Sequence, residues 1–412
     1  MSKISLRSIA LAVLTALPVA ALAAPPLYPA IELQARTNLL INDNGYNLPP
    51  GASFNSITVD LNDEAEVTFR VQVVPGFDGM SVWFGAHGAG SLVCNSDNDI
   101  EAIISDPRVN NAGSIVFSQF FAAANNGIWL CDALAHSAAR LTAAPLGATS
   151  WGTPELNESG QIGYRAGFSS GSAWVSYAGG GVAIHAAENA IDAGSPYNFL
   201  FTPSFDNLRR IAGVVRVAAA APVVEHREVR LFDSTGASSL IAIDRSGNAA
   251  SPYIGFDNGV GLSNNGTVAF VATLDGNVRS VQRGSASGVV EIARVGVGGI
   301  TEIEFFAPAI NDSGLVVFRG RDANGQAIFV GDGSILRRVI GKGDAVATDL
   351  GAGRVGQHDD SPVFGGGVAI NAEGTLAFTA ALHPNGDTQT EWGTGVFVAY
   401  ANNDILFADG FE

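Results

Sequence analysis

The sequence predicts an all-β protein, a seven-bladed β-propeller of four-stranded antiparallel blades whose ring is closed by an N-terminal strand. Three observations lead to this fold. A nine-residue pattern recurs seven times at intervals of 47 to 60 residues, apolar residues alternate after each copy, and helical periodicity is nearly absent. A repeat of this length indicates an array of small sheets. Four strands in each repeat is the content of one propeller blade.

The repeated pattern is an aliphatic residue, Asn, two variable residues, Gly, one residue, an aliphatic residue, one residue and an aromatic. Clear copies are Leu156–Tyr164 and Ile310–Phe318. Asn bonds its own backbone two residues on and opens a tight turn, and Gly supplies the positive φ that ends it. We expect these turns to be built by Asn62, Asn110, Gly113, Asn157, Gly160, Gly266, Asn311, Gly314, Asn371 and Gly374.

Two copies depart from the pattern. Leu61–Phe69 has Ala65 in place of Gly. Phe205–Gly213 has Asp206 in place of Asn and Arg209 in place of Gly. We interpret both as worn copies, and we interpret the two stretched intervals of 57 and 60 residues as insertions in loops rather than lost repeats.

The residues around each turn predict the strands of a blade. In Val67–Val71 apolar and polar residues alternate, which is typical of a strand with one buried face, so each turn is the loop of a β-hairpin. A third strand follows, and a fourth comes after a polar turn, as in Ile335–Ile340. Asp132–Leu141 is the only stretch that suggests a short helix. Ile31–Leu40 resembles a fourth strand, and we expect it to pair with Val396–Tyr400 and remove an exposed sheet edge.

The N-terminus has the pattern of a secretory signal peptide. Lys3 and Arg7 precede the apolar run Ile9–Leu22, and small residues precede a cleavage site ahead of Ala24. The run is too short to span a bilayer. We therefore divide the chain into a signal peptide (1–23), a single propeller domain (24–400) and a C-terminal tail (401–412). The expected location is the periplasm, the cell surface or the outside of the cell, with no transmembrane helix in the mature chain.

The charge composition excludes some partners. The net charge is −17, and Lys342 is the only lysine after the signal peptide. An acidic, lysine-poor surface argues against nucleic acids and anionic membranes. We expect a monomer.

Cys94 and Cys131 are the only two cysteines. In an exported protein such a pair suggests a disulfide. The alternative is that each is a small buried apolar residue, and the sequence leaves both interpretations open.

Two glycine motifs resemble catalytic or cofactor loops but lack the required context. Gly167–Gly171 matches a nucleophile elbow, which needs a helix after it; here another strand follows, so a hairpin loop is the better interpretation. Gly351, Gly353 and Gly356 have the spacing of a dinucleotide loop, which also needs a helix start. We predict no catalytic and no cofactor-binding residues.

Candidate metal ligands are equally weak. His358, Asp359 and Asp360 form the densest cluster, but adjacent residues do not readily face one ion. Asp97–Glu101 fits no calcium loop. Both are interpreted as solvated loops, and no metal is expected.

These residues resemble the tandem-repeat family named for its Asn-x-x-Gly-x-x-Ala-Phe motif, most closely in Asn371–Phe378. The resemblance covers about residues 54 to 400. It implies an exported bacterial protein with a variable C-terminal sorting or anchoring tail and an activity that is generally unassigned. The ending Ile405–Glu412 resembles a short tail of some secreted proteins of Gram-negative bacteria, and a plain last strand is the alternative interpretation. The resemblance thus supports repeats and export without supplying a function.

Two function classes remain. The first is an exported binding or structural propeller for an unknown extracellular ligand, a glycan or a protein, which would use the loops near 185–200 and 348–365. The alternative is a polysaccharide hydrolase or lyase, for which Glu155, Glu158 and Asp206 are conceivable carboxylates. Inward-pointing carboxylates in a cleft would favour the enzyme, and a channel lined by Gly, Ala and Val would exclude it. The repeat carries scaffold chemistry only, which favours the binding protein.

Overall fold

The structure is a computed structural model that describes residues 24–37, 44–121, 125–141, 147–152, 154–358 and 362–402. It confirms the all-β fold and the seven blades. The predicted signal peptide lies outside the described residues, as does the tail from residue 403 onward. Among the described residues there is a 3₁₀ turn, Asp275–Asn277, and no α-helix.

Each blade has four strand positions, numbered from the axis outward. Blade one contains β2 (Asp60–Leu61), β3 (Val67–Val71), β4 (Ser81–Ala86) and β5 (Ala89–Asn95). Blade two contains β6 (Ile103–Ile104), β7 (Arg108–Val109), β8 (Ser114–Phe120), β9 (Gly127–Asp132) and β10 (Ser137–Arg140). Blade three contains β11 (Ser150–Trp151), β12 (Glu155–Leu156), β13 (Ile162–Gly167), β14 (Ser172–Ala178) and β15 (Gly181–Ala187).

The next three blades repeat this order. Blade four contains β16 (Tyr197–Leu200), β17 (Ser204–Phe205), β18 (Ile211–Val217), β19 (His226–Phe232) and β20 (Ser238–Ile243). Blade five contains β21 (Tyr253–Leu262), β22 (Val268–Leu274), β23 (Val278–Ser285) and β24 (Gly288–Arg294). Blade six contains β25 (Glu302–Ile303), β26 (Ala309–Ile310), β27 (Val316–Asp322), β28 (Gly325–Gly331) and β29 (Leu336–Gly341).

Blade seven joins the two ends of the domain. It contains β1 (Leu27–Arg36), β30 (Ala345–Thr348), β31 (Gly351–Val355), β32 (Ala369–Ile370), β33 (Leu376–Pro384) and β34 (Gly393–Asn402). In this blade, as in blades two, three, four and six, the innermost position is split between two short strands that pair with the same second strand.

The innermost strands form a closed ring around the axis. Along the chain β2 contacts β7, β7 contacts β12, β12 contacts β17, β17 contacts β21, β21 contacts β26, and β26 contacts β32. The ring closes because β32 also contacts β2. Since the strands of a blade are antiparallel, the Asn-x-x-Gly turns and the turns between third and fourth strands lie at one end, here called the turn face. The connections between blades lie at the opposite end, the loop face.

The N-terminal strand closes the ring, as predicted. β1 is the outermost strand of blade seven and pairs antiparallel with β34, with Ile31 opposite Ala399. It begins at Leu27 rather than at Ile31. The fully buried Arg36 at its end donates from Nε and Nη2 to the two carboxylate oxygens of Asp349, at 2.9 and 2.8 Å. This bidentate ion pair fixes the strand to the rest of blade seven.

The core lies between adjacent blades. The repeat aromatic is almost fully buried in Phe69, Phe117, Phe270, Phe318 and Phe378. Three of these rings stack on an aromatic of the third strand, and the Phe69 and Trp83 centroids are 4.8 Å apart. Burying one such side chain contributes about 1.5–3 kcal/mol. The repeat aromatic therefore supplies each blade with its main packing residue.

The structure corrects one sequence prediction, a short helix, and refines another, a long loop. The helix suggested for Asp132–Leu141 is wrong, because β9 ends at Asp132 and β10 occupies Ser137–Arg140. The Asp132 carboxylate accepts the N–H groups of Leu134 and Ala135 at 3.0 and 2.9 Å, which stabilises a turn instead.

Within the expected insertion 348–365, β31 pairs with β33 and extends the last sheet, so only part of the insertion is a loop.

A disulfide joins the first two blades. Cys94 on β5 and Cys131 on β9 are bonded, with their Cα atoms 6.2 Å apart. Both side chains are buried between the blades.

None of the described residues forms a helix with the length and hydropathy needed to cross a bilayer.

Candidate functional site

The repeat Asn performs two tasks on the turn face. In blade three the Asn157 Oδ1 accepts the N–H groups of Ser159 and Gln161 at 3.1 and 2.8 Å, which closes the turn. Its Nδ2 donates to the main-chain carbonyl oxygen of Asp206 in blade four at 3.2 Å. An amide is both donor and acceptor, whereas an ionised carboxylate only accepts. This explains why the repeat requires Asn.

Seven hydrogen bonds of this kind join the turns into a closed ring, here called the amide ring. From donor side chain to acceptor carbonyl they run Asn62 to Asn110, Asn110 to Asn157, Asn157 to Asp206, Arg210 to Asn264, Asn265 to Asp312, Asn311 to Asn371 and Asn371 to Asn62. Every blade is thereby bonded to the next one through its turn.

Two blades use a substitute donor. Asp206 cannot donate, and Arg210, which donates from Nε to its carboxylate at 2.6 Å, reaches Asn264 in its place. In blade five Ser263 occupies the turn-opening position, and its hydroxyl accepts the N–H of Thr267. Asn265 then supplies the amide at 2.8 Å from Asp312 O. The Asn of the fifth copy is therefore displaced by two residues.

The glycine positions take the left-handed backbone conformation. φ is positive at Gly113, Gly160, Gly266, Gly314 and Gly374, from 69° to 88°. Ala65 and Arg209, which replace glycine in the two worn copies, have φ values of 59° and 60°. The worn copies thus keep the turn at the cost of a conformation that non-glycine residues rarely adopt.

A second ring involves the residue after each turn Asn, which the sequence interpretation treated as a variable exposed position. Its main-chain N–H donates to the side-chain oxygen of the equivalent residue in the next blade. The six pairs are Asp63 to Asn111, Asn111 to Glu158, Glu158 to Asn207, Asn207 to Asn264, Asn264 to Asp312 and Ala372 to Asp63. The series stops at Asp312, because Ala372 has no side-chain acceptor. The sequence contains an indication of this series of hydrogen bonds, because the residue after the turn-opening position is Asp, Asn or Glu in the other six copies.

The channel is lined by the residue two positions before each turn Asn. These seven residues border a single cavity of about 330 Å³ and are Asp60, Arg108, Glu155, Ser204, Gly261, Ala309 and Ala369. Blades one to three contribute charged side chains, and blades five to seven contribute Gly or Ala. The channel is therefore polar on one wall and small and apolar on the opposite wall.

Asp60, Arg108 and Glu155, here called the charged trio, form an ion-paired cluster. The Arg108 Nε lies 3.3 Å from Glu155 Oε1, and its Nη1 lies 3.9 Å from Asp60 Oδ1. Asp60 Oδ2 also accepts the N–H of Val109 at 3.0 Å. About a fifth of each side chain remains exposed, 20% for Asp60, 22% for Arg108 and 24% for Glu155. Each therefore presents part of its surface to the channel.

Burial sets the charge state of the trio. It raises the pKa of the Asp60 and Glu155 carboxyls above their ordinary values, and the positive charge of Arg108 offsets this only in part. For Arg108 burial opposes the charge, but the carboxylates of Glu155, Asp60 and Asp106 outweigh it and the pKa is raised. The trio is thus a partly desolvated cluster with one more acid than base.

Aromatic side chains lie beside the channel. Phe305 and Phe306 occupy the break between β25 and β26, and 78% and 38% of their surfaces are exposed. The guanidinium carbons of Arg279 and Arg319 lie 3.9 Å from their respective ring centroids. Phe306 borders the channel cavity and Phe305 borders an adjoining cavity of about 280 Å³. Exposed rings held in place by arginine are suited to contact a ligand.

The other residues considered from sequence fall outside the channel. Glu158 and Asp206 belong to the turns, so only Glu155 among the three conceivable carboxylates faces the channel. The Gly167–Gly171 segment joins strands β13 and β14 as a hairpin loop, and Gly351 and Gly353 lie in β31. His358 is described, but Asp359 and Asp360 lie outside the described residues. In the described part of the chain no group of three or more His, Cys, Asp or Glu is arranged to hold a metal ion.

The fold is similar to solved β-propellers. An oligogalacturonate lyase in complex with manganese has a TM-score of 0.52 and 11% identity, covering 92% of this chain and 98% of its own. An oligogalacturonate lyase from Vibrio parahaemolyticus has a TM-score of 0.53 and 9% identity, covering 91% and 98%. The β-propeller domain of the Trilobed protease from Pyrococcus furiosus, which has an open velcro topology, has a TM-score of 0.53 and 12% identity, covering 87% and 99%. At these identities the likeness establishes the fold alone.

Sequence comparison adds a family match. Residues 215–409 match a family of unknown function, DUF7453. No curated protein sequence matches the chain. This family match does not test the resemblance to the Asn-x-x-Gly-x-x-Ala-Phe repeat family, which stays a prediction.

Proposed function

We propose that the protein is an exported binding propeller that takes a glycan into its channel. The observation that carries this proposal is the asymmetric lining of the channel, with a charged trio on one wall and Gly or Ala on the other. Carboxylates accept hydrogen bonds from neighbouring sugar hydroxyls and a guanidinium donates to ring or hydroxyl oxygens. The small residues opposite leave the space that a sugar ring needs.

The aromatic residues support the same ligand class. Phe305 is exposed beside the channel, and its ring offers an apolar surface to the C–H face of a sugar. The channel cavity of about 330 Å³ has the size of small-molecule sites. A protein partner would need a larger and flatter surface. These features favour a glycan over a protein as the extracellular ligand.

Two features support export. Residues 1–23 have the composition of a signal peptide, and the Cys94–Cys131 disulfide is of a kind that persists in oxidising compartments. We therefore place the binding protein in the periplasm, at the cell surface or outside the cell.

The test is a screen of neutral and acidic oligosaccharides against the mature protein, followed by calorimetry on each hit. We expect E155Q to weaken binding at least tenfold and F305A to weaken it several-fold. E291Q on the outer strand β24 and F121A, which removes another exposed ring on blade two, serve as matched controls and should bind as the wild type does. No saccharide binding above background would contradict the proposal. Binding that E155Q and F305A leave unchanged would contradict the location of the site.

One observation favours the alternative, a polysaccharide hydrolase or lyase. Asp60 and Glu155 point into the channel, and burial raises the pKa of both carboxyls, which is the state a general acid requires. Against it, Arg108 is ion-paired with both and occupies the space between them. Two of the structural neighbours are oligogalacturonate lyases, but at 9–11% identity they supply no catalytic residues for this chain.

Incubation of the protein with each bound oligosaccharide separates the two functions. A binding protein leaves the oligosaccharide intact. An enzyme releases shorter products, and D60N or E155Q would then abolish product release while retaining measurable binding.

A further inference from the structure

A second cavity lies on the turn face, away from the channel. Its volume is about 440 Å³, within the range of small-molecule sites. It is formed where the β23–β24 turn of blade five meets the turns of blades five and six. The lining residues on which the inference rests are Thr267, Arg283, Ser285, Ser287, Asp312 and Gly314.

Arg283 is the unusual residue of this cavity. Three arginines of the described chain are more than nine-tenths buried, with exposed fractions of 0% for Arg36, 3% for Arg319 and 8% for Arg283. Arg36 is ion-paired with Asp349 and Arg319 with Glu304. Within the described residues no carboxylate lies within 4.0 Å of the Arg283 guanidinium.

Among the described residues, the acceptor for the Arg283 side chain is a carbonyl oxygen. Its Nη1 donates to Gly314 O at 2.6 Å. A guanidinium has five N–H donors, and a buried charge without a counter-ion is strongly disfavoured. Burial accordingly lowers the pKa of Arg283, and the more distant charge of Asp332 offsets this only in part. The described residues thus provide one acceptor and no ion-pair partner for this side chain.

The repeat shows that this arginine is not required by the fold. On the third strand Arg283 lies opposite Ala269, the residue before the repeat aromatic. The residues at the same register in the other six blades are Phe84, Leu130, Ser176, Leu231, Val330 and Val398. None of them is charged and five are apolar. Blade five therefore places a cation at a position where the fold itself uses apolar packing.

The remaining lining residues are suited to an anion. The Ser285 and Ser287 hydroxyls lie 2.7 Å apart at the tip of the β23–β24 turn. Asp312 is the one carboxylate among the residues that line the cavity, but both of its oxygens already accept hydrogen bonds from Asn264, at 2.6 and 3.1 Å. The carboxylate is therefore already engaged. The two hydroxyls share one hydrogen bond, which leaves one hydroxyl proton and the guanidinium at the open cavity.

We propose that this cavity binds a small molecule through an oxyanion group, a carboxylate, phosphate or sulfate, with Arg283 as the counter-charge and one of the Ser285 and Ser287 hydroxyls as a donor. Such a group supplies the missing charge and accepts two guanidinium N–H groups at once. The cavity shares none of its lining residues with the channel.

The test compares sodium sulfate, sodium phosphate and sodium glucuronate with sodium chloride at equal ionic strength and pH. The melting temperature of the wild type rises with at least one oxyanion beyond the chloride value, because a ligand of the folded state stabilises it. Calorimetry then gives the affinity. A shift of the melting temperature with sulfate or phosphate would show that the site takes a tetrahedral oxyanion. A shift with glucuronate would show that it takes a carboxylate.

The variants locate the site. R283L introduces the residue found at this register in blades two and four, and it should fold and lose the oxyanion-specific shift entirely. R294L on the neighbouring strand removes the same charge from an exposed position and should keep the shift. S287A retains Arg283 and should weaken binding several-fold, which tests the site even if R283L does not fold. An equal shift in R283L and the wild type, or no oxyanion-specific shift in the wild type, would overturn the proposal.

Discussion

The Asn371 Nδ2 donates to the main-chain carbonyl oxygen of Asn62 at 3.1 Å, across 309 residues of sequence. This bond joins the turn of the last blade to the turn of the first. The propeller is therefore closed twice, at the outer edge by the pairing of β1 with β34 and near the axis by the amide ring. Because the two closures lie at different radii, each can be weakened separately.

Removing the Asn371 amide should destabilise the ring closure. N371A loses the bond to Asn62 and also leaves the buried N–H of Thr375 without its acceptor, Asn371 Oδ1. We expect a loss of about 2–4 kcal/mol in the free energy of unfolding, measured by urea denaturation, since each buried unsatisfied group costs about 1–3 kcal/mol. N371D keeps the acceptor but places a buried carboxylate oxygen against the carbonyl oxygens of Asn62 and Asp63, so its loss should be at least as large. An N371D variant as stable as the wild type would show that the donor contributes nothing.

The gap in the second ring can be filled. A372N supplies a side-chain acceptor next to the N–H of Asp312, and one added hydrogen bond should stabilise the protein by about 0.5–1.5 kcal/mol. A372D supplies the same acceptor with a negative charge close to Asp63, whose Oδ1 accepts the Ala372 N–H at 2.9 Å. We therefore expect A372N to be more stable than A372D in urea denaturation at neutral pH. The reverse order would mean that hydrogen bonding does not govern this position.

The disulfide should contribute substantially to stability. It closes a segment with a sequence separation of 37 residues, for which loop-closure entropy predicts about 4 kcal/mol. The double variant C94A/C131A should lose about this amount in the free energy of unfolding, and reduction of the wild type should produce a similar loss. A reduced wild type that unfolds at the same urea concentration as the oxidised protein would contradict this prediction.

The charged trio should make stability depend on pH in the acidic range. Burial raises the folded-state pKa of Glu155 above its ordinary value of 4.5. A carboxyl whose folded-state pKa is raised binds its proton more tightly in the folded state. Its contribution to the free energy of unfolding is therefore fully present below the ordinary pKa. That contribution is lost as the pH rises through the folded pKa.

The measurement is urea denaturation of the wild type and E155Q from pH 4 to pH 7. The stability of the wild type relative to E155Q should fall across this range. E291Q, which removes a carboxylate from an outer strand, is the control. A difference between wild type and E155Q that stays constant with pH would contradict the raised pKa.

Much of the architecture was predictable from the sequence because its determinants are local. The turn-opening Asn and the left-handed Gly specify a hairpin within nine residues, and the repeat spacing then gives the number of blades. The N-terminal strand was also predictable, since a propeller needs a fourth strand in its last blade. The helix suggested for Asp132–Leu141 was wrong because the Asp132 carboxylate stabilises a turn there.

The partners across blades depend on the curvature of the ring and could not be derived in this way. The sequence shows Asp60, Arg108 and Glu155 as three residues 47 or 48 positions apart, and only their place on consecutive innermost strands brings them to one wall of the channel. Likewise, the sequence pattern did not show that Ser263 opens the turn of blade five while Asn265 supplies the amide. Spacing along the chain determines each hairpin and the count of blades. The distances between residues of different blades depend on how the sheets pack around the axis, which no single repeat contains.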